Sequence, residues 1–150
     1  MKYKFLPHTA DIKFQAYGST LEECFSNAGY ALINIICKQK IKKKSIKKLK
    51  IIGRDRENLL YNFLEEILYF FEVGGYLISE FKNIKIIGLP IVKGHKRFYN
   101  LELSCELLGD DVNYYDIDMQ VKAATYNDMI IEEKITKKGK MFVCQVVLDV

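Results

Sequence analysis

Apolar and polar residues alternate from Asp11 to Tyr17, with Ile12, Phe14 and Ala16 on one side and Asp11, Lys13 and Gln15 on the other. A period of two predicts a half-buried strand with Asp11 on its polar face. Tyr3 to Leu6 predicts a shorter strand before it, broken by Pro7, and Gly18 ends the second. The period then lengthens. Leu21, Phe25, Ala28, Leu32 and Ile35/Ile36 recur at helical spacing, predicting an amphipathic helix that reaches about Cys37. Thr20 and Glu23 stand three apart at its start as a capping box, each able to satisfy an orphan amide of the first turn.

Ser45 to Ile52 returns to a strand pattern with one slip in its alternation. Asp55 is a suitable N-cap for a second helix over Arg56 to Glu72, whose apolar face is Leu60, Phe63, Leu64, Ile67, Leu68 and Phe71. Tyr61, Tyr69 and Phe70 widen that face, so the helix belongs deep against a sheet, and its aromatics read as core. Gly74-Gly75 stops it.

The remainder predicts strands: Tyr76 to Ile87, bent near Asn83; Arg97 to Leu108; Asp118 to Tyr126; Met129 to Ile135; and Met141 to Val150. Gly88-Leu89-Pro90 and Lys93-Gly94-His95 read as turns, Gly109 to Asn113 as a polar loop, and Asn127-Asp128 as a tight hairpin turn. The last strand is apolar on both sides (Phe142, Val143, Cys144, Val146, Val147, Leu148), which suits a central strand covered on both faces. The expected architecture is α+β: two amphipathic helices packed on a mixed, mostly antiparallel curved sheet, as a single domain over 1–150.

Composition narrows the class. The 150 residues are 49% hydrophobic and 28% charged, enough for a proper core. No run of about 18 apolar residues exists for a membrane span, and the N-terminal stretch has no signal-peptide core, so the expectation is a soluble cytoplasmic protein with no membrane contact. The four cysteines, Cys24, Cys37, Cys105 and Cys144, form no C-x-x-C pair and read as reduced core residues. His8 and His95 are the only histidines, which argues against a histidine-rich metal site.

Charge is uneven. Eight lysines and no acid fall in residues 38–50, so the formal +4 of the chain becomes −4 for the rest. Within this run Lys42, Lys43, Lys44, Lys47 and Lys48 are the candidates for nucleic-acid contact, although such a run is more often a solvated connector. The run holds no interleaved aromatic or arginine for stacking on bases.

Enzymatic signatures are missing: there is no Gly-rich phosphate loop, no G-x-S-x-G, and no nucleophile set beside a histidine. Asp110-Asp111 reads as a solvated turn, and Glu65-Glu66 and Glu132-Glu133 read as surface charges. The chain is expected not to be an enzyme. One feature stands apart: Asp149 closes an apolar strand one residue from the terminal carboxylate of Val150. Unpaired buried carboxylates are costly, and crowded ones need a cation. Asp11, Asp149 and the Val150 carboxylate would form an all-oxygen set for a hard divalent ion, Ca²⁺ first, with Mg²⁺ or Mn²⁺ as alternatives. A turn cap at Asp11 and a hydrated chain end at Asp149 are the structural alternatives.

His8-Thr9-Ala10-Asp11-Ile12, Thr20-Leu21-Glu22-Glu23, Leu59-Leu60-Tyr61 with Leu64-Glu65-Glu66, Lys122-Ala123-Ala124-Thr125-Tyr126 and Asp149-Val150, in that order, resemble the archease family. Asn127 departs from the pattern, which usually has histidine after the tyrosine. The resemblance implies an accessory factor that activates a GTP-dependent tRNA-splicing RNA ligase of the RtcB type, promoting its guanylylation and multiple turnover. It implies a metal site at Asp11, Asp149 and Val150, with His8, Lys122 and Tyr126 on the matching polar face toward the partner. A directly RNA-binding module and a chaperone-like factor for RNA-modifying enzymes are the rival readings.

Overall fold

The computed structural model describes residues 1–8 and 10–150; Thr9, within the motif singled out above, lies outside the described residues. In chain order the elements are β1 (Tyr3–Leu6), β2 (Ile12–Gly18), α1 (Leu21–Ile36), β3 (Ser45–Gly53), α2 (Arg56–Glu72), β4 (Tyr76–Lys93), β5 (Lys96–Asp111), β6 (Ala123–Thr136) and β7 (Gly139–Asp149). The expected α+β class holds. The strands form two sheets, β1-β2-β7-β6 and β3-β5-β4, and all the pairings described are antiparallel.

Both helices form where the periodicity places them. The Thr20 side chain accepts from the Glu23 amide at 3.1 Å, one half of the capping box. The Glu23 carboxylate does not reach back to the cap amide in return; it accepts from the Ser19 hydroxyl at 3.0 Å. Asp55 caps α2 by accepting from the Asn58 amide at 2.7 Å. Beyond α2, Gly75 takes a left-handed φ of 58°, the conformation that costs glycine least.

Each helix touches strands of both sheets: α1 lies against β2 and β4, and α2 against β6, β3 and β4. Phe14, Phe25, Leu32, Phe63, Leu64, Leu103 and Leu107 are fully buried between them. Phe63 sits at the middle, its ring 6.1 Å from that of Phe25 on α1 and 5.3 Å from that of Phe81 on β4. All four cysteines are free and buried, as expected. Burial, then the charge of Glu106, pushes the Cys105 thiol up to about 12, so it stays protonated at neutral pH.

Three turn assignments fail. Gly88-Leu89-Pro90 lies inside β4, because Pro90 sits in a two-stranded ribbon, with Tyr99 as its partner, where a missing amide is tolerated. Gly109 to Asp111 continues β5 rather than forming a solvated loop. Asp110 is only 8% exposed, and its carboxylate accepts from the Tyr115 hydroxyl at 2.8 Å. A Cβ at Gly109 would lie 2.1 Å from the Leu77 carbonyl oxygen, so glycine here permits close strand packing and does not mark a turn.

Asn127-Asp128 is not a hairpin turn either. β6 runs unbroken from Ala123 to Thr136, with a bulge between Thr125 and Ile130 where Asp128 adopts φ 53°. The bulge is held from outside its own strand: Lys13 pairs with the Asp128 carboxylate at 3.4 Å, and Gln145 donates to the Asp128 carbonyl at 2.8 Å. The expected strand at Asp118 is likewise absent before Ala123. Asp118 instead serves α1: its carboxylate accepts from the Lys38 amide at 2.8 Å, and its own amide donates to the Ile36 carbonyl at 2.8 Å.

Candidate functional site

β7 occupies the interior position of its sheet, between β2 and β6, as its continuous apolarity predicts. β2 pairs with it through Ile12↔Leu148, Phe14↔Val146 and Ala16↔Cys144. That register ends at Ile12↔Leu148, and Asp11 and Asp149 are the residues that adjoin this pair in the sequence. On the other flank Ala123 pairs with Asp149, and the Lys122 amide donates to the Asp149 carbonyl at 2.8 Å. One end of this sheet therefore holds Lys122, Asp149 and Val150, with Asp11 directly preceding β2 and exposed His8 in the β1–β2 connection.

Burial at this end is graded. Asp149 and Lys122 are exposed, Asp11 is half-buried, and the Val150 side chain packs against the core. Among the described residues, no three His, Cys, Asp or Glu side chains converge as a ready cage. The two carboxylates nearest this sheet end, Asp11 just before β2 and Asp149 at the end of β7, are oxygen donors of the kind a hard cation takes.

α2 supplies what sequence reasoning missed. Glu65, read from sequence as a surface charge, is half-buried, and its carboxylate accepts from the Ala124 amide at 2.9 Å, pinning the helix to the start of β6. One turn earlier Tyr61 stacks on Tyr126, with centroids 4.4 Å apart and planes inclined by 11°. The Tyr126 hydroxyl accepts from the Asn58 side-chain amide at 2.8 Å. Glu65, then burial, then Tyr126 raises the Tyr61 hydroxyl above its ordinary range. Tyr126 is consequently committed to α2 on one face while remaining about half exposed. The available signal was spacing: Asn58, Tyr61 and Glu65 lie on one side of α2, at the border of its apolar stripe.

Glu65→Ala is expected to leave the Ala124 amide without its partner and to cost about 1–2 kcal/mol. Urea denaturation checks the loss. Glu65→Gln, which keeps an acceptor oxygen, should recover most of it.

The lysine run does not form one surface. Lys43 pairs with Glu80 at 2.9 Å, and Lys47 lies over the Tyr76 ring at 4.9 Å. Lys42 and Lys44 border an open depression of about 610 Å³ together with Asp110, Tyr114 and Tyr115. Lys48 projects from the opposite face of β3 to Lys47, because consecutive strand residues alternate sides.

The Archease protein family model (MTH1598/TM1083) matches residues 3–150. The chain belongs to the archease family. Protein archease of Methanosarcina barkeri is 35% identical over 152 residues, an alignment covering 99% of this chain and 96% of that one. Protein archease of Pyrococcus furiosus is 37% identical over 135 residues, covering 87% and 88%. The solution structure of Methanobacterium thermoautotrophicum protein 1598 superposes with a TM-score of 0.73 at 26% identity, covering 99% of both chains. The fold is thus shared over 99% of both chains. No helix among the described residues is long and apolar enough to cross a membrane.

Proposed function

We propose that this archease-family chain is a non-catalytic accessory factor of a GTP-dependent RNA-splicing ligase of the RtcB type, acting through a divalent ion held by Asp11, Asp149 and the Val150 carboxylate. One observation carries the reading: the Ile12↔Leu148 pair that closes the β2–β7 register adjoins an aspartate on each strand's side, Asp11 and Asp149. Fixed framework surrounds them. Ile12 and Leu148 anchor the aspartates from the core side, the Val150 side chain packs inward, and the Lys122–Asp149 backbone bond ties in β6.

A divalent ion bound there supplies positive charge where nucleotidyl transfer develops negative charge on phosphate oxygens. Asp11 and Asp149 orient the donor oxygens. Lys122, with His8 and Tyr126 nearby, presents polar groups on the partner-facing side. Ca²⁺ suits the all-oxygen set best, with Mg²⁺ and Mn²⁺ as alternatives.

The experiment adds the untagged chain to an RtcB-type ligase at limiting enzyme and counts ligated RNA ends per ligase molecule. The expected result is a rise from about one turnover to many, together with accumulation of the guanylylated ligase. A C-terminal extension that moves the Val150 carboxylate should weaken both. Unchanged turnover overturns the proposal, and protection of unrelated clients from aggregation with no ligase response would favour the chaperone-like reading.

A further inference from the structure

The solvent face of the β3-β5-β4 sheet and the ribbon beyond it have no role in the site above. β4 and β5 outrun β3: their pairing continues from Gly88↔Leu101 to Lys93↔Lys96 as a two-stranded projection. Residues 81–101 contain no acid. Strand alternation places Leu103, Cys105 and Leu107 on the core side of β5, so their neighbours and the partners of those neighbours face water. That outward face carries Lys48 and Lys50 from β3, Lys82, Lys85 and Lys93 from β4, and Lys96 from β5. The three acids on it are Glu80, paired with Lys43 at 2.9 Å, Glu102, 3.7 Å from Lys50, and Glu106, which accepts from Asn83 at 3.3 Å. The other five lysines make no ion pair among the described residues.

An aromatic sits within this charge. Phe98, 47% exposed, pairs with Ile91 on the outward side, one alternation step from the Lys93↔Lys96 pair. Closer to the sheet, Lys48, Lys50, Lys85 and Ser104 border an open depression of about 610 Å³. From the Lys48↔Glu106 row to the Lys93↔Lys96 row the face spans ten residues of β5, about 34 Å at strand rise. Lysines spaced along a strip with an exposed ring beside it are what a single strand needs, with charge for the backbone and a flat face for a base. The like charge of the face opposes a second copy of this chain, and the exposed ring suits a base better than the closed stack of a duplex.

We infer that the outward face of β3-β5-β4 and its ribbon is a docking platform for single-stranded nucleic acid. Its residues include none of Asp11, Lys122 or Asp149, so it stands or falls apart from the ligase reading. The test is fluorescence anisotropy of the full chain with a labelled oligouridylate and with mixed-sequence single strands of RNA and DNA of about 20 nucleotides, over a salt series. About four neutralised phosphates give a slope near −3 in log K against log salt. Lys85→Glu with Lys96→Glu should weaken binding at least tenfold and flatten the slope. Phe98→Ala should weaken it about tenfold, whereas Lys137→Glu with Lys138→Glu at the β6–β7 turn should change it less than twofold. Absence of saturable binding at about 50 mM salt overturns the inference and leaves the face to an acidic protein partner. So does binding that the control reversal weakens as much as the sheet-face reversal.

Discussion

Asp149→Ala is expected to abolish divalent-ion binding while leaving the fold intact, and Asp11→Ala to do the same. Asp149 is exposed and packs on nothing in the core, so without ions the variant should match the parent within about 0.5 kcal/mol. The two proteins should separate only when Ca²⁺ is added. An ion at 100 times its dissociation constant stabilises the parent by about 2.7 kcal/mol, and a variant lacking one carboxylate should gain almost none of that. Loss of a direct ligand should cost at least the 10- to 100-fold in affinity that outer partners cost. Calorimetry and thermal melts with and without Ca²⁺ read this directly, and ligase turnover should fall in parallel. Parent and variant melts that rise equally with Ca²⁺ would remove Asp149 from the site.

The largest loss of stability is expected at Phe63→Ala. Its ring is fully buried at the meeting point of α1, α2 and β4, with Phe25 on one side and Phe81 on the other. Removal deletes the ring's transfer free energy and opens a cavity that three regular elements cannot easily close, about 3–5 kcal/mol in all. For a chain of this length that lowers the melting temperature by roughly 8–16 °C. Phe98→Ala is the internal comparison: the same deletion on the outer ribbon should stay within about 0.5 kcal/mol. Urea midpoints with unchanged m-values check both. A loss below about 1 kcal/mol at Phe63 would mean that the core collapses around the gap.

Period and capping made the helices readable. Thr20, Asp55 and Gly75 act at the positions their chemistry dictates, and α2 spans the residues that its apolar stripe marks. β7 was legible as an interior strand because residues covered on both sides have no polar alternation to show. Punctuation misled where tertiary contacts outrank local preference. Asn127-Asp128 has hairpin chemistry, but the chain on both sides of it pairs with β7, so the two residues bulge while Lys13 and Gln145 fix the excursion. Asp110 looked solvated because its partner, Tyr115, comes from the following turn.

At the candidate site, the alternation that begins at Asp11 was readable, but the strand itself begins at Ile12, and its Ile12↔Leu148 register against β7 depends on a pairing across more than 130 residues. Glu65 was hidden for a similar reason: an acid bordering an apolar stripe looks like any solvated helix face until the strand amide it serves is located.

That same long pairing sets the order in which the molecule can assemble. β1 with β2, β4 with β5 and β6 with β7 are each paired neighbours in sequence joined by short connections, which form quickly. β7 then has to join β6, its neighbour in sequence, to β2, whose residues 12–18 pair with 142–148. Before that docking, β2 and β7 each present an open edge on which no partner strand rests. Closure of so distant a contact is the slow entropic step, and the waiting species is the one that can pair with strands of another molecule. Refolding yield should therefore fall with protein concentration, set by how long the edges of β2 and β7 stay unpaired.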